Sequence, residues 1–366
     1  MAAPATRERL SPDVFRLPVE RIRSGYYTDA YFNFTKELLE EVDRRPRVLM
    51  QVFQKREQTI LGGIDEAIAV LKQCSGCVRP DSTWENGWDK LEVRALYEGD
   101  EVEAMETVMT IEGDYALFAH LETVYLGSLA RRSLVMKNVH DVVDAARGKP
   151  ILFFPARHDH WLVQTGDGWA AHVAGAIGVS TDAQASWWGG RGVGTVPHAL
   201  IAAFGGDTVA AAQAFADRYS HEMNVTVLVD FENDSVRTSL EVADALGDKL
   251  WGVRLDTSER LVDRALWHDM GDFRPTGVNE VLVRRVREAL DDAGHRDVKI
   301  VVSGGFDAER IRSFEAQGVP VDSYGVGSSL LRGANDYTAD VVLVDGKPCA
   351  KVGRGYRPND RLEPVS

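Results

Sequence analysis

The chain has 366 residues, of which 44% are hydrophobic and 27% charged, a length that predicts a large buried core and two domains. Its formal net charge of −14 argues against nucleic acid or an anionic membrane as a partner, because both require a basic surface. The sequence contains no apolar run of membrane-spanning length and begins without the apolar stretch of a secretory signal, so we expect a cytoplasmic protein.

The pattern of the first 148 residues predicts a mixed α+β region. A Gly-Tyr-Tyr-Thr-Asp turn precedes a helix for which Thr28 is the predicted N-cap. Further along, apolar periodicity predicts two strands and two helices. They are a strand at Val48–Phe53, a helix at Gly63–Lys72, a strand at Leu91–Leu96 and one long helix at Tyr115–Met136.

This region also contains two of the three cysteines. Cys74 and Cys77 form a CxxC pair. Such a pair could supply half of the ligands of a zinc site or form a thioredoxin-like motif. Because the sequence shows neither a second ligand pair nor a preceding βα unit, we interpret both cysteines as ordinary reduced thiols. The odd number of cysteines also fits a reducing compartment better than a set of disulfides.

From Pro150 onward, short apolar runs alternate with helical segments, the pattern of a parallel sheet that is buried on both faces. The predicted strands are Ile151–Phe154, Thr195–Val196, Val225–Val229, Leu250–Leu255, Val298–Val302 and Ser323–Val326. The predicted helices are Thr208–Ser220, Val236–Ala245, Val278–Ala293 and Ala308–Ala316. A doubly wound sheet and a TIM-like barrel both fit this pattern, and glycine pairs after two late strands favour the barrel.

We therefore predict an α/β protein with an irregular TIM-like α/β barrel and an α+β sandwich domain formed by the N-terminal region and a returning C-terminal segment. The predicted boundaries are 1–148 for the sandwich, 149–338 for the barrel and 339–366 for the returning hairpin. Asp345 and Gly346 form the tight turn of that hairpin.

Two glycine-rich turns are the first candidate site. Ser303, Gly304 and Gly305 follow one predicted strand, and Gly325, Gly327 and Ser328 follow the next. Glycine lets backbone N–H groups approach an anion, and a helix that begins after such a turn directs its positive end towards the anion. A purely steric need for glycine explains either turn alone, but the pair predicts a phosphate site.

Charged side chains at other strand ends suggest the chemistry. Asp230 and Asp256 are placed to bind ribose hydroxyls or a magnesium ion held by a diphosphate. The alternative is a helix N-cap, which Asp256 or Thr257 could also supply. Arg254 lies one position before a strand end, where placing its charged guanidinium in the barrel interior costs free energy unless it contacts an anion. Its planar fork suits a carboxylate. Phe154 could stack on a flat ring, although such a phenylalanine is more often a core residue, and Arg157 could bind a phosphate oxygen.

The histidines offer a further candidate. His198 follows a glycine-rich approach and could act as a nucleophile towards phosphorus, with a hydrogen-bonded core histidine as the alternative. A metal cluster of His158, His160 and His172 is conceivable, but their spacing does not match a metal motif, so structural roles are preferred for these three.

These segments, in this order, resemble the nicotinate phosphoribosyltransferase family of type II phosphoribosyltransferases over nearly the whole chain. The motifs are Thr28-Asp29-Ala30-Tyr31, Phe154-x-x-Arg157, Gly194-Thr195-Val196-Pro197-His198, Arg254-Leu255-Asp256 and the two glycine turns. Family members often have two arginines where this chain has Arg157-His158, and a Ser-Asn pair where it has Ser180-Thr181.

The resemblance assigns roles to these positions. It implies that Tyr31 stacks on the pyridine ring from a partner subunit, that Phe154 covers the other face, and that Ser180 and Thr181 lie near the base. It places Arg254 at the base, Asp256 and Asp230 at the ribose, and Arg157 with both glycine turns at the phosphates. It also implies that His198 is phosphorylated by ATP.

The implied reaction joins nicotinate to 5-phosphoribosyl 1-diphosphate in NAD biosynthesis and salvage, with Mg²⁺ accompanying the diphosphate and ATP. A homodimer or higher oligomer with shared active sites is expected. The alternatives are a decarboxylating quinolinate enzyme, a nicotinamide enzyme and, outside catalysis, an inactive phosphate-binding barrel.

Overall fold

A computed structural model describes residues 7–269, 271 and 273–366. The helices are α1 Val19–Arg23, α2 Ala30–Glu41, α3 Ile64–Cys74, α4 Glu122–Ala145, α5 Gln164–Val173, α6 Asp182–Ala185, α7 His198–Ala203, α8 Thr208–Tyr219, α9 Ser235–Leu246, α10 Glu280–Asp292 and α11 Ala308–Ala316. The first strands are β1 Arg47–Gln54, β2 Thr59–Ile60, β3 Gly76–Val78, β4 Trp84–Asn86, β5 Glu92–Ala95, β6 Glu101–Val102, β7 Thr107–Asp114 and β8 Ile151–Phe153. The remaining strands are β9 Gly178–Val179, β10 Val225–Leu228, β11 Leu250–Leu255, β12 Lys299–Val302, β13 Ser323–Val326, β14 Tyr337–Val344, β15 Lys347–Pro348 and β16 Glu363–Pro364.

The chain forms two compact units. One contains the described residues up to Lys137 together with Gly333–Ser366, and the other contains Asn138–Arg332. None of the helices in the described part of the chain is both long and apolar enough to cross a membrane.

The first unit is built on a six-stranded sheet in the order β15-β14-β1-β7-β5-β16. Strand β1 pairs antiparallel with β14 on one side and with β7 on the other, so the C-terminal segment returns to the centre of the N-terminal sheet. Helix α3 buries its apolar side chains in the core of this unit, among them Ile64, Ile68 and Leu71. The predicted α+β domain with its returning segment is therefore confirmed.

The hairpin between β14 and β15 shows why this turn was visible in the sequence. Val344 pairs with Lys347, so the loop has only two residues, Asp345 and Gly346. Both have positive φ, 50° and 75°, which is the conformation a two-residue hairpin requires and which Asp-Gly adopts easily.

Two local predictions in the first unit were wrong. Helix α2 begins at Ala30 with Asp29 as its N-cap residue, and the Thr28 hydroxyl instead donates to the carbonyl oxygen of His120. The predicted helix at Tyr115–Met136 begins as 3₁₀ turns, and the α-helix runs from Glu122 to Ala145. The Asp114 side chain accepts the N–H of Ala116 at 3.0 Å, which caps a separate short turn before the helix.

The second unit is a curled parallel sheet in the order β10-β11-β12-β13-β8-β9. The segment 193–196 joins its two edges, because Val193 N–H donates to Val179 O at 2.7 Å and Val196 N–H donates to Thr226 O at 2.9 Å. The predicted strand at Thr195–Val196 is thus reduced to an isolated bridge, and the two-residue β9 was not predicted. The irregular TIM-like barrel is confirmed.

The three cysteines are free thiols, with Cys74 buried, Cys77 partly buried and Cys349 exposed. Burial raises the pKa of the Cys74 thiol to about 11, which keeps it protonated and unreactive near neutral pH. No group of three or more His, Cys, Asp or Glu side chains able to hold a metal ion occurs among the described residues.

Candidate active site

The carboxyl ends of four neighbouring strands, β8, β11, β12 and β13, enclose a cavity of about 140 Å³ in the second unit. Parallel strands bring these ends to one edge of the sheet, which is where barrel enzymes build their sites. The lining residues are Phe154, Arg157, His158, Arg254, Asp256, Ser303, Gly304, Gly305, Phe306, Gly325, Gly327, Ser328, Ser329 and Arg332. The structure thus brings ten predicted site residues together and adds His158, Phe306, Ser329 and Arg332, which sequence reasoning did not place here.

The first glycine turn has the backbone conformation that the sequence predicts. Gly304 and Gly305 have φ of +84° and +74°, in the left-handed region that glycine adopts without strain. Helix α11 begins just beyond them, where the Asp307 side chain accepts the N–H of Arg310 at 3.0 Å. The turn therefore presents backbone amides and a helix N-terminus at the same edge, an arrangement that suits an anion.

The second glycine turn leaves room for two aromatic rings. A Cβ atom on Gly325 would lie 2.7 Å from Cε2 of Phe154, and one on Gly327 would lie 3.0 Å from Cε1 of His158. The first distance is shorter than real Cβ atoms essentially ever show to a non-bonded atom. Glycine at 325 is thus required to seat the Phe154 ring, a role that strand-end position alone could not reveal.

Arg254 is held in one orientation by its neighbours. Its Nε donates to Ser303 Oγ at 2.8 Å, and its Nη1 donates to Thr195 Oγ1 at 3.2 Å. Its Nη2 lies 3.5 Å from a carboxylate oxygen of Asp256, and its guanidinium carbon lies 5.0 Å from the ring centre of Phe154. A planar cation fixed beside an aromatic ring can recognise a flat anionic molecule.

The charge of Arg254 is balanced within this network. Burial lowers the pKa of its guanidinium from the ordinary value, while Asp256 and Asp230 act in the opposite direction. Ser303 Oγ also donates to Asp256 Oδ1 at 2.7 Å, so one hydroxyl links the cation and the carboxylate. Arg254 is therefore a partly buried cation with a compensating carboxylate.

His198 and Asp230 form a pair close to this cavity. Nε2 of His198 lies 2.9 Å from Oδ1 of Asp230. The histidine side chain is 42% exposed, whereas the aspartate side chain is only 7% exposed. The hydrogen bond to Asp230 is the main cause that raises the pKa of His198, and Asp256 raises it further. This bond leaves Nδ1 as the ring nitrogen that is not paired with Asp230.

Asp230→Asn is expected to lower the pKa of His198. The raised pKa means that the ion pair stabilises the fold below pH 6.5 and that this contribution is lost as pH rises through the higher folded-state value. NMR titration of the imidazole C–H signals measures the pKa, and thermal unfolding between pH 5 and pH 9 measures the stability. Asp244→Asn, at the separate His295–Asp244 pair, is the matched control and should leave His198 unchanged.

Several known proteins resemble this chain in sequence and in fold. A family profile described as "Quinolinate phosphoribosyl transferase, N-terminal domain" matches residues 29–133. The chain is 33% identical to a nicotinate phosphoribosyltransferase of Mycobacterium tuberculosis over 254 residues, which are 67% of this chain and 52% of that protein. It is 32% identical to a nicotinate-nucleotide pyrophosphorylase of Pyrococcus furiosus, with a TM-score of 0.78 over 95% of this chain and 85% of that one.

The chain belongs to the nicotinate phosphoribosyltransferase family of type II phosphoribosyltransferases. It spans about half the length of the curated relatives that it matches. The human nicotinic acid phosphoribosyltransferase, at 18% identity and a TM-score of 0.65 over 90% of this chain and 77% of that one, shares the fold.

Three residues that the family resemblance assigns to the base do not line the cavity. Ser180 donates through its N–H and its hydroxyl to Gln184 Oε1, at 3.0 and 3.1 Å. Thr181 caps α6 in a capping box, and its hydroxyl donates to Gln164 Oε1 at 2.9 Å. Tyr31 lies in the first unit, on α2, where the residue is 60% exposed. Their contacts with a base remain predictions.

Proposed function

We propose that this protein is a nicotinate phosphoribosyltransferase, which forms nicotinate mononucleotide and diphosphate from nicotinate and 5-phosphoribosyl 1-diphosphate. The observation that carries this proposal is the Arg254 guanidinium, held over the Phe154 ring beside two glycine turns in one cavity. An aromatic anion and a phosphorylated sugar need these two features side by side. The reaction would belong to NAD biosynthesis and salvage.

In the proposed reaction the pyridine nitrogen forms a bond to C1 of the ribose while the bond from C1 to the diphosphate oxygen breaks. Arg254 holds the carboxylate of nicotinate, and Phe154 covers one face of the ring, which fixes the nitrogen in line with C1. Asp256 stabilises the positive charge that develops on the sugar. Because these side chains are held in place before the reaction, they need little reorganisation to reach the transition state.

The phosphate groups of the substrate would meet the remaining lining residues. The backbone amides of the two glycine turns and the Arg157 side chain bind phosphate oxygens. Magnesium enters with the diphosphate as part of the substrate and neutralises its charge as it leaves. Mg²⁺ commonly takes one or two protein carboxylates beside phosphate oxygens, and Asp256 is the carboxylate that lines the cavity.

ATP would act through His198. Nδ1 attacks the terminal phosphorus of ATP, a P–N bond forms as the P–O bond to ADP breaks, and Asp230 stabilises the imidazolium through Nε2–H. Water later cleaves the P–N bond and releases inorganic phosphate. In His198→Ala, ATP should no longer stimulate turnover or label the protein with acid-labile phosphate. Unchanged stimulation would remove His198 from this role.

A homodimer with shared active sites is proposed from the exposed surface of α2. Tyr31, Phe34 and Leu38 recur at helical spacing and are 60%, 65% and 59% exposed, and no α2 side chain within the described ranges is buried. A contiguous apolar helix face of this kind is typical of a protein interface. A second copy of the chain would cover it, and Tyr31 would then reach the partner's site.

Replacing Phe34 and Leu38 together by aspartate should convert the dimer to a monomer, because two charges would be buried at the contact. Light scattering coupled to size-exclusion chromatography measures the mass. Val352→Asp, at a 98% exposed position of the same unit, is the control and should leave the mass unchanged. A wild-type protein that elutes as a monomer at micromolar concentration would contradict the proposed dimer.

The test of the proposed activity is a panel of bases. Purified protein is incubated with 5-phosphoribosyl 1-diphosphate, Mg²⁺ and either nicotinate, nicotinamide or quinolinate, with and without ATP, and the mononucleotide is identified by mass spectrometry. Nicotinate mononucleotide should form from nicotinate, faster with ATP. Absence of product from every base would refute the enzyme and favour an inactive phosphate-binding barrel.

A quinolinate phosphoribosyltransferase is the second candidate, because the family profile that matches residues 29–133 has that description. Quinolinate carries a second carboxylate, which needs another cation at the base. Of the three arginines that line the cavity, only Arg254 lies against the Phe154 ring. Nicotinate is therefore preferred, and release of carbon dioxide from quinolinate in the panel would reverse the preference.

A further inference from the structure

We propose that His158 binds a phosphate group of the substrate in its protonated form, so that phosphate binding by this protein is coupled to uptake of a proton. The inference rests on the proposed function, because it assigns a phosphate ligand to the same cavity. The proposal assigns a binding role to His158, for which the sequence alone favours a structural role.

His158 is an exposed residue that lies beside the second glycine turn. It ends the 3₁₀ turn Ala156–His158 that follows β8, and its N–H donates to Pro155 O at 2.7 Å. A Cβ atom on Gly327 would lie 3.0 Å from Cε1 and 3.5 Å from Nδ1 of the ring. The imidazole therefore fills the space that Gly327 leaves open and forms part of the cavity wall.

The ring nitrogens of His158 are available to a ligand. Neither nitrogen has a hydrogen-bond partner within residues 7–269, 271 and 273–366. By contrast, Nε2 of His198 is bonded to Asp230, and Nδ1 of His160 accepts the N–H of Leu162 at 3.2 Å. His158 is the histidine that lines the cavity.

The charged groups that line the same cavity as His158 favour an anion. Arg157 is on the same turn, Arg332 follows β13, and Arg254 and Asp256 lie at the end of β11. Three arginines and one carboxylate give the cavity a net positive charge. A phosphate group is drawn into such a cavity, and its oxygens accept charge-assisted hydrogen bonds.

Proton uptake follows from the change in charge on binding. Burial and the neighbouring Arg157 lower the pKa of His158 from its ordinary value of 6.5, so the ring is neutral near pH 7 without substrate. A phosphate dianion beside the ring favours the charged form and raises that pKa. Each molecule bound near neutral pH therefore takes up part of a proton from the buffer.

Isothermal titration calorimetry tests the coupling without turnover. Ribose 5-phosphate and magnesium diphosphate are titrated separately at pH 7 in buffers of different ionisation enthalpy, which yields the protons taken up and shows which phosphate contacts His158. The wild type should take up protons with one of the two ligands. His158→Gln should bind that ligand about tenfold more weakly at pH 6 and less than about threefold more weakly at pH 8.

Two further variants complete the design. His158→Arg should bind the same ligand with little dependence on pH and with the proton uptake reduced, because its charge is permanent. His160→Gln, two residues away, is the matched control and should behave as the wild type. Thermal melting confirms that each variant is folded.

Equal proton uptake by the wild type and His158→Gln would overturn the inference while leaving the phosphate site intact. Failure of the wild type to bind either ligand would overturn the inference and the phosphate site together. The base panel then decides separately whether the protein is an enzyme.

Discussion

Arg254→Lys should lower kcat/KM for nicotinate by roughly 100-fold, with most of the loss in KM for the base. The guanidinium is fixed by Ser303 and Thr195, which leaves its remaining N–H groups for Asp256 and for a ligand. Lysine carries the same charge but lacks the planar fork, so it cannot contact a carboxylate and both hydroxyls at once. Steady-state kinetics with each substrate varied in turn measures the change.

The matched control is Arg237→Lys, at a surface arginine that pairs with Glu232, Asp234 and Glu241. It should retain wild-type kinetics, because exposed ion pairs contribute little. If Arg254→Lys changed only the KM for 5-phosphoribosyl 1-diphosphate, Arg254 would be a phosphate ligand and the base would bind elsewhere.

Gly325→Ala should weaken nicotinate binding by at least about tenfold and destabilise the fold by about 1–3 kcal/mol. The new methyl group would lie 2.7 Å from Cε2 of Phe154 and 3.3 Å from Cβ of Ser303. The Phe154 ring must then move, and the ring contact with Arg254 moves with it. Kinetics and thermal unfolding measure the two effects.

Gly127→Ala is the control for this substitution. Gly127 lies within α4, and, apart from its chain neighbours and the adjacent backbone of α4, a Cβ atom there would meet no described atom within 4 Å. Alanine should be neutral or stabilise the helix by about 0.5–1 kcal/mol. If Gly325→Ala kept wild-type affinity for nicotinate, Phe154 would not be the surface on which the base stacks.

The candidate site was largely predictable because its residues occupy strand ends. A buried parallel strand is a short apolar run, so its carboxyl end can be located in the sequence. Parallel strands bring their carboxyl ends together, and for this reason Arg254, Ser303 and Gly325 could be assigned to one cavity. Arg332, which follows the 3₁₀ turn Ser328–Leu331, carried no comparable signal.

Predictions failed where a short-range pattern had several structural solutions. The apolar periodicity from Tyr115 onward fits one helix, but the cap at Asp114 divides the segment into 3₁₀ turns and a later helix. Thr28 has the right chemistry for an N-cap, yet its hydroxyl is used by the carbonyl of His120, which is distant in sequence.

The sequence by itself determined the alternation of strands and helices after Pro150, the two-residue turn at Asp345-Gly346 and the two glycine turns. These features depend on local backbone preferences and on the period of apolar residues, which neighbouring positions specify. Only the tertiary structure decided that Thr195 orients Arg254 and that Gly325 makes room for Phe154. Such contacts join segments far apart in the chain, and their geometry is fixed by packing.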